Sequence, residues 1–301
     1  MRKTVLALSV VVLMSFLIWP SNALPASTVD NGMIFGGQWS AAENLTASVT
    51  QQLSDLPAVV EVFTATWCEN CVEVEHALDE VQHEGLLIQY HMHRAIGESQ
   101  DPFGSEHLDQ RWRDRYGPSS PPAVVFNGSL KKIGSVADDG TLENEFTNLA
   151  QTDLGLGAGT STFAWTPNGD GSGILLWNLE MNASHLENMT LSVNAYIVEV
   201  AAEFEEGSNG LGTYPHIVHD IVVLGNQTQG SAQIALPTAF DGDDLQVHLV
   251  YQLTVNQTEV VDDTTEPVED EDAPAPSMMV TLLASFSAGL FNHVRSKDSG
   301  N

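Results

Sequence analysis

The chain has 301 residues, 43% of them hydrophobic, and forty Asp and Glu against ten Lys and Arg, a formal net charge of −30. That length predicts about two domains, and the apolar content is enough to give each a core, which excludes wholesale disorder. So acidic a surface repels nucleic acid and anionic headgroups, so no nucleic-acid partner and no peripheral lipid-binding role is expected. The ten cations are unevenly spread, with none from Thr4 to His93 and none from Ile133 to Val294.

Residues 1–26 read as a signal sequence. Arg2 and Lys3 form a basic head, Thr4 to Trp19 is apolar and uncharged, and Pro20 breaks the run. Small residues for a peptidase follow at Ser21-Asn22-Ala23 or Leu24-Pro25-Ala26. The competing reading is an uncleaved anchor, short for a span; either way the bulk of the chain is exported. Six Asn-X-Ser/Thr sequons, at Asn44, Asn127, Asn182, Asn188, Asn226 and Asn256, are glycosylation candidates in keeping with a surface glycoprotein.

Next in order, 24–39 shows no period and reads as a loop or short added strand. Leu45, Val49 and Leu53 are spaced four apart, which predicts an amphipathic helix over 41–53. Ala58 to Thr64 is an apolar run suited to a buried strand. Helix signals run from Cys68 to about His83, with Glu84-Gly85 as the stop. A strand follows at 86–93, then a loop, a helix at 106–116, strands at 123–127 and 130–136 joined by Asn127-Gly128, and a helix at 139–150. Helices alternating with strands predict a compact α/β domain over 27–152. From about Ser161 apolar and β-branched runs recur between Gly, Asn and Asp clusters, at 161–166, 173–181, 189–202, 215–224, 230–236 and 244–255. They predict an all-β sandwich over 158–257, immunoglobulin- or fibronectin type III-like. An acidic spacer (258–276), an apolar stretch (277–292) and a basic tail (293–301) close the chain. The stretch reads as a C-terminal membrane anchor with its cationic tip inside, or alternatively as a tail helix packed on the protein.

The segment that carries chemistry is Thr66-Trp67-Cys68-Glu69-Asn70-Cys71, and its two cysteines are the only ones in the chain. A Cys-X-X-Cys that follows a strand and opens a helix puts the first sulfur at the helix N-terminus. There, orphan amides and the macrodipole stabilise a thiolate. Cys71, Val74, Leu78 and Val81 share one helical face, so Cys71 points inward and Cys68 stays at the exposed end. Cys68 is then the attacking sulfur and Cys71 the resolving one. A purely structural disulfide closing so small a loop is a weak alternative. A two-thiolate metal half-site with His76, His91 or His93 is another, but export favours oxidised sulfur, so no metal is expected. His216 and His219 read as strand surface residues.

Over roughly residues 55–152 these features resemble the thioredoxin-like superfamily of thiol–disulfide oxidoreductases. Trp67 before the first Cys, the strand and turn Val59 to Ala65, Tyr116-Gly117 and Pro122-Ala123-Val124-Val125-Phe126-Asn127-Gly128 carry the resemblance. Asp101-Pro102-Phe103 with Arg115-Tyr116-Gly117 is similar to extracytoplasmic members that carry a C-terminal β-sandwich. The resemblance implies an α/β thioredoxin-like domain followed by the sandwich. It implies Pro122 as a cis-proline against the sulfurs, with Trp67 and Pro121 as substrate-side support and no cofactor beyond the Cys68–Cys71 disulfide. Three positions depart from the family. The buried acid six residues before the first Cys is replaced by Val62, and the neighbouring Glu61 faces the other side by strand alternation. His76 stands where the family has a kinking proline. Pro121 lacks the N–H offered to a bound peptide.

Glu69, between the cysteines and without nearby cations in sequence, disfavours the Cys68 thiolate and tunes the disulfide toward a reductase or isomerase. The expected partners are protein thiols and disulfides and an unidentified electron donor or acceptor, at the cell surface or the outer face of a membrane. The reading from another class is a surface-anchored binding or adhesion protein using the same scaffold.

Overall fold

The computed structural model describes residues 24–97 and 99–256, which belong to one compact unit. The expected leader up to residue 23, the acidic spacer, the C-terminal anchor and the basic tail lie outside the described residues. Among the described residues no helix is long and apolar enough to cross a membrane.

Thirteen strands and three α-helices make up this unit. In the first half, β1 (Ser27–Thr28), β2 (Met33–Ala41) and β3 (Thr46–Gln52) precede the central strand β4 (Ala58–Thr64). Helix α1 (Glu69–His83) and strand β5 (Leu87–His93) follow, then α2 (Glu106–Tyr116), β6 (Ala123–Phe126), β7 (Leu130–Ile133) and α3 (Leu142–Ala150). All seven residues of β4 are buried, as a strand covered on both faces requires. It runs parallel to β5 and antiparallel to β6. The β6–β7 hairpin turns on Asn127 (φ 50°) and Gly128 (φ 70°), the left-handed pair that a two-residue turn demands. The second half holds β8 (Gly159–Pro167), β9 (Ser172–Met181), β10 (Met189–Glu203), β11 (Thr213–Gly225), β12 (Gln229–Ala235) and β13 (Leu245–Val255).

The strands form two sheets. The smaller has the order β12-β9-β8-β3, and the larger β1-β7-β6-β4-β5-β11-β10-β13-β2. The sandwich core lies between the small sheet and the β10-β13-β2 portion of the large one, around Trp165, Trp177, Val193, Val247 and Tyr251. α1 and α3 cover one face of β4-β6 through Val62, Val74, Leu78, Val124 and Phe146. α2 covers the opposite face through Trp112 and Tyr116, and that core also takes in Tyr196, Val198, Val218 and Val250 from the sandwich strands.

Two expectations are corrected here. The chain is not an α/β thioredoxin-like domain followed by a separate immunoglobulin- or fibronectin-like sandwich. Of the described residues 45% are strand and 18% helix, and one mixed nine-stranded sheet carries both halves. The physical cause is at the edge of β5, whose free backbone groups are met by β11 in parallel, with His91 opposite Ile217. The α2 core then spans both sides of that seam. The helix expected over 41–53 is also absent. Thr46, Val49 and Thr50 pair as an edge strand with β8, Leu45 and Val49 stay exposed, and only Leu53 of the four-residue series is buried. Together β2 and β3 complete the sandwich instead of belonging to the helical half.

Candidate functional site

Cys68 and Cys71 are joined in a disulfide, with Cα atoms 5.3 Å apart. Cys68 is the N-cap of α1, in extended backbone, and no side chain caps the helix. The first-turn amides and the helix dipole therefore remain to stabilise an anion at Cys68. Cys71, one turn in, is fully buried. Cys68 is also less open than its end position suggests, at 5% exposure, with Ala65 and Trp67 packed around the pair. Glu69 and Asn70 are exposed. The Pro121–Pro122 peptide is cis, with Pro122 buried at the start of β6 and Pro121 half-buried.

α1 has two faces. Val74, Leu78 and Val81 are its apolar side, whereas Glu75, Asp79 and Gln82 lie over the β5 edge and meet a polar set there. β-Sheet pairing puts Val60, Val62 and Thr64 opposite Gln89, His91 and His93, so these six residues share the α1 side. The Thr64 hydroxyl donates to Glu75. Gln89 donates to Asp79 at 2.8 Å and contacts His91 at 3.0 Å, and Gln82 contacts His216 of β11 at 3.2 Å. Asp101, in the loop after β5, accepts from the Thr66 amide at 2.7 Å and pairs with His93 Nδ1 at 2.8 Å. His93 Nε2 is buried and has no hydrogen-bond partner among the described residues. Burial pushes the Glu75 carboxyl up to about 7; Thr64 and His93 oppose the rise, and Asp79 and Asp101 add to it.

The other buried acid, Glu61, sits on the α2 side. Arg111 pairs with it at 2.9 Å, and Tyr196 and Tyr116 donate hydroxyls to it. Burial alone would raise its pKa, but Arg111, Arg115 and the two hydroxyls outweigh that and hold it below the ordinary value. Arg111 is thus committed to Glu61 on the face opposite α1.

The sandwich reaches the site. The β10–β11 connection brings Asn209 to the Thr66 carbonyl, with an N–H···O distance of 3.1 Å, one residue before Trp67. Tyr214 Oη lies 2.7 Å from Asn209 Oδ1 and 3.3 Å from the same carbonyl. A Cβ on Gly207 would fall 1.8 Å from that hydroxyl, so only glycine lets this loop lie so close. Phe204 and Phe240 meet Phe103 edge-on behind it, Tyr214 is tilted against Phe103, and His93 packs edge-on against Phe103.

The histidines fall differently from expectation. His91 and His93, named above as candidate ligands, are buried, and burial, followed by His216 and His93, drives His91 well below its ordinary pKa. His216 and His219 are half-buried, the latter against Glu199. Among the described residues no group of three or more His, Cys, Asp or Glu is placed to hold a metal. Of the sequons, Asn44, Asn182, Asn188, Asn226 and Asn256 are exposed. Asn127 is buried with its Oδ1 accepting from the Val59 amide at 2.9 Å, which leaves no space for a glycan.

Sequence reasoning missed Glu75 and Tyr214; it singled out His93 only as a candidate ligand and Asp101 only within a motif, and it gave neither its place beside Glu75. Glu75 was visible as the residue four after Cys71, but α1 reads as amphipathic through its apolar side alone. Asp101 and Tyr214 are brought in by loop and seam contacts that no local pattern encodes.

No family model matches the chain, and no curated protein matches it. Among solved structures it is similar to HBP35 of Porphyromonas gingivalis, at 17% identity and a TM-score of 0.49 over 73% of this chain and 80% of that one. It is also similar to a protein of Agrobacterium tumefaciens known from an X-ray crystal structure, at 17% identity and a TM-score of 0.40 over 67% and 96%.

Proposed function

We propose that this chain is an exported thiol–disulfide oxidoreductase that exchanges disulfides with protein substrates, Cys68 attacking and Cys71 resolving. The observation that carries this reading is the chain's single pair of cysteines, closed as a disulfide across the first turn of an uncapped helix, with the second sulfur wholly buried. A disulfide placed there loses little on reduction, because the helix terminus receives the thiolate. The redox pair is the only cofactor required, and an electron donor or acceptor of the dithiol/disulfide class is its second partner. Exposed Glu69 beside the sulfurs, and Arg111 occupied by Glu61, favour a reductase or isomerase over a strong oxidant. Five exposed sequons agree with an exported surface glycoprotein.

Trapping tests the assignment. Cys71→Ser is expected to accumulate covalent complexes with substrate proteins, seen as reducible high-mass bands, and Cys68→Ser to form none. Equal trapping by both would overturn the roles. A purified protein whose disulfide neither accepts electrons from dithiothreitol nor passes them to insulin would end the redox reading.

A further inference from the structure

The exchange proposed above leaves one proton without an acceptor. When the buried Cys71 thiol attacks the mixed disulfide at Cys68 its proton must leave, and when the disulfide is reduced Cys71 must regain it. A buried thiolate without a proton partner is costly. The position that resemblance assigns to such a partner holds Val62, and Glu61 is turned to the opposite face and bound to Arg111.

Resting on that redox reading, we propose that Glu75 is the group that takes and returns the Cys71 proton. Glu75 lies four residues after Cys71 on α1, where side chains at this spacing are neighbours about 5–6 Å apart at Cβ. Both residues are buried, Cys71 completely and Glu75 to 4% exposure. The titratable and charged groups that face Glu75 come from every element around it: His93 on β5, Asp101 in the loop that follows, Asp79 on its own helix and Tyr214 on β11. None is a fixed cation. Thr64 on β4 supplies its hydrogen bond. Such a carboxyl holds a proton near neutrality and gives it up easily, with a value near 7 where general acid–base exchange is most effective. His93 is held by Asp101 at Nδ1, leaving its buried Nε2 on the same polar side of α1.

In substrate reduction, the Cys68 thiolate attacks a substrate disulfide and one substrate sulfur leaves as a thiolate. The Cys71 S–H proton passes to the Glu75 carboxylate while Cys71 sulfur attacks Cys68 sulfur, which forms the enzyme disulfide and releases the second substrate thiolate. A donor dithiol reverses the sequence. Its first sulfur joins Cys68, Cys71 leaves as a thiolate and takes the proton from the neutral Glu75 carboxyl. The donor's second sulfur then closes its own disulfide and frees Cys68. Two electrons pass to the enzyme in this direction and two to the substrate in the other.

Stopped-flow reaction of the reduced full-length protein with 5,5′-dithiobis(2-nitrobenzoate) separates the steps. The first coloured thiolate reports attack by Cys68, and the second reports resolution by Cys71. In the native protein the second phase should accelerate as pH rises through about 7. Glu75→Gln keeps the size of the side chain; it should abolish that inflection and slow the second phase at pH 8 by at least about tenfold, leaving the first phase within about twofold. Thr64→Val removes the hydrogen bond that opposes the rise of Glu75, so it should shift the inflection upward without abolishing it, and it serves if the Gln variant folds poorly. A second phase whose pH profile is the same in native protein and in both variants would overturn the role of Glu75 while leaving the redox function standing. Absence of both phases in the native protein would overturn the function itself.

Discussion

Glu61 and Glu75 are two buried carboxyls packed on opposite faces of the same strand, and their surroundings set them in opposite directions. Glu61 faces α2, where Arg111 and Arg115 lie and two tyrosine hydroxyls converge, and it stays ionised below its ordinary range. Glu75 faces β5 from α1, where the neighbours are a threonine, a histidine and two further acids, and it rises to about 7. Lys132, the buried cation on the α1–α3 side, is taken by Glu145 at 2.9 Å. In a chain with ten cations, their placement decides which buried acid is a fixed structural charge and which can exchange protons. The disulfide lies on the side where the acid is left able to titrate.

The strongest way to break this contrast is to remove the cation from the α2 side. Arg111→Met removes the cation paired with Glu61 and leaves the buried carboxylate its two tyrosines and the charge of Arg115; a buried charge stripped of its ion-pair partner costs about 3–5 kcal/mol. Denaturant unfolding at pH 7 should show a loss of that order, and Arg111→Met with Glu61→Gln should recover part of it. A loss below about 1 kcal/mol would mean that the pair contributes no more than a surface ion pair and that Glu61 is not fixed by Arg111.

The α1 side predicts a smaller effect, and it runs the other way. Glu75 has a folded pKa raised from 4.5 to about 7, so between those values the folded state holds the proton more tightly than the unfolded state. Its contribution is fully present below about 4.5 and is lost as pH rises through about 7. Glu75→Gln should therefore gain on the order of 2–3 kcal/mol relative to the native protein between pH 5 and pH 8. Taking the difference between the two proteins cancels the buried histidines. His91, His216 and His248 have folded values depressed by burial, and they lose stability as pH falls below about 6.5 in both proteins. A difference that is flat from pH 5 to 8 would place Glu75 in a solvated position.

These effects were unequally legible in the sequence. Local signals placed the elements from β4 onward but not β1 to β3: α1 begins one residue after the expected Cys68, α2 covers 106–116 as its pattern predicts, and the six runs after Ser161 became β8 to β13. Helix geometry placed Cys68 at the start of α1 and turned Cys71 inward, but it did not foresee that Cys68 is buried as well; strand alternation separated Glu61 from Val62. What local pattern could not show is the pairing of β5 with β11, a contact between residues more than a hundred positions apart, and with it the single sheet that replaced two domains. The polar side of α1 was hidden for the same reason. Glu75, Asp79 and Gln82 look like solvent-facing residues until His93, Gln89 and His216 are known to lie beneath them. The spacing of Leu45, Val49 and Leu53 misled because a helical period over so few residues coincides easily with an edge strand.

The smallest expected effect concerns a third carboxyl, Glu69, which shares α1 with Glu75 but is exposed in its first turn. An exposed charge reaches the sulfurs through solvent, whereas the proton exchange proposed for Glu75 would pass through the interior. Cys68 at the N-cap has the helix dipole in favour of its thiolate and the charge of Glu69 against it. Glu69→Gln removes that charge with little change in size, so the reduced form gains stability and the disulfide becomes more oxidising. A tenfold change in the exchange equilibrium is about 30 mV for two electrons, and a solvent-screened charge should shift the potential upward by less than that. Equilibration against glutathione at low salt should show the shift, and raising the ionic strength should shrink it as the Debye length falls below about 10 Å. A shift that persists unchanged at about 1 M salt would mean that Glu69 acts on the sulfurs through a buried contact. An absent shift at low salt would remove the charge argument for a reductase and leave the direction of electron flow to the helix dipole and the proton exchange at Cys71.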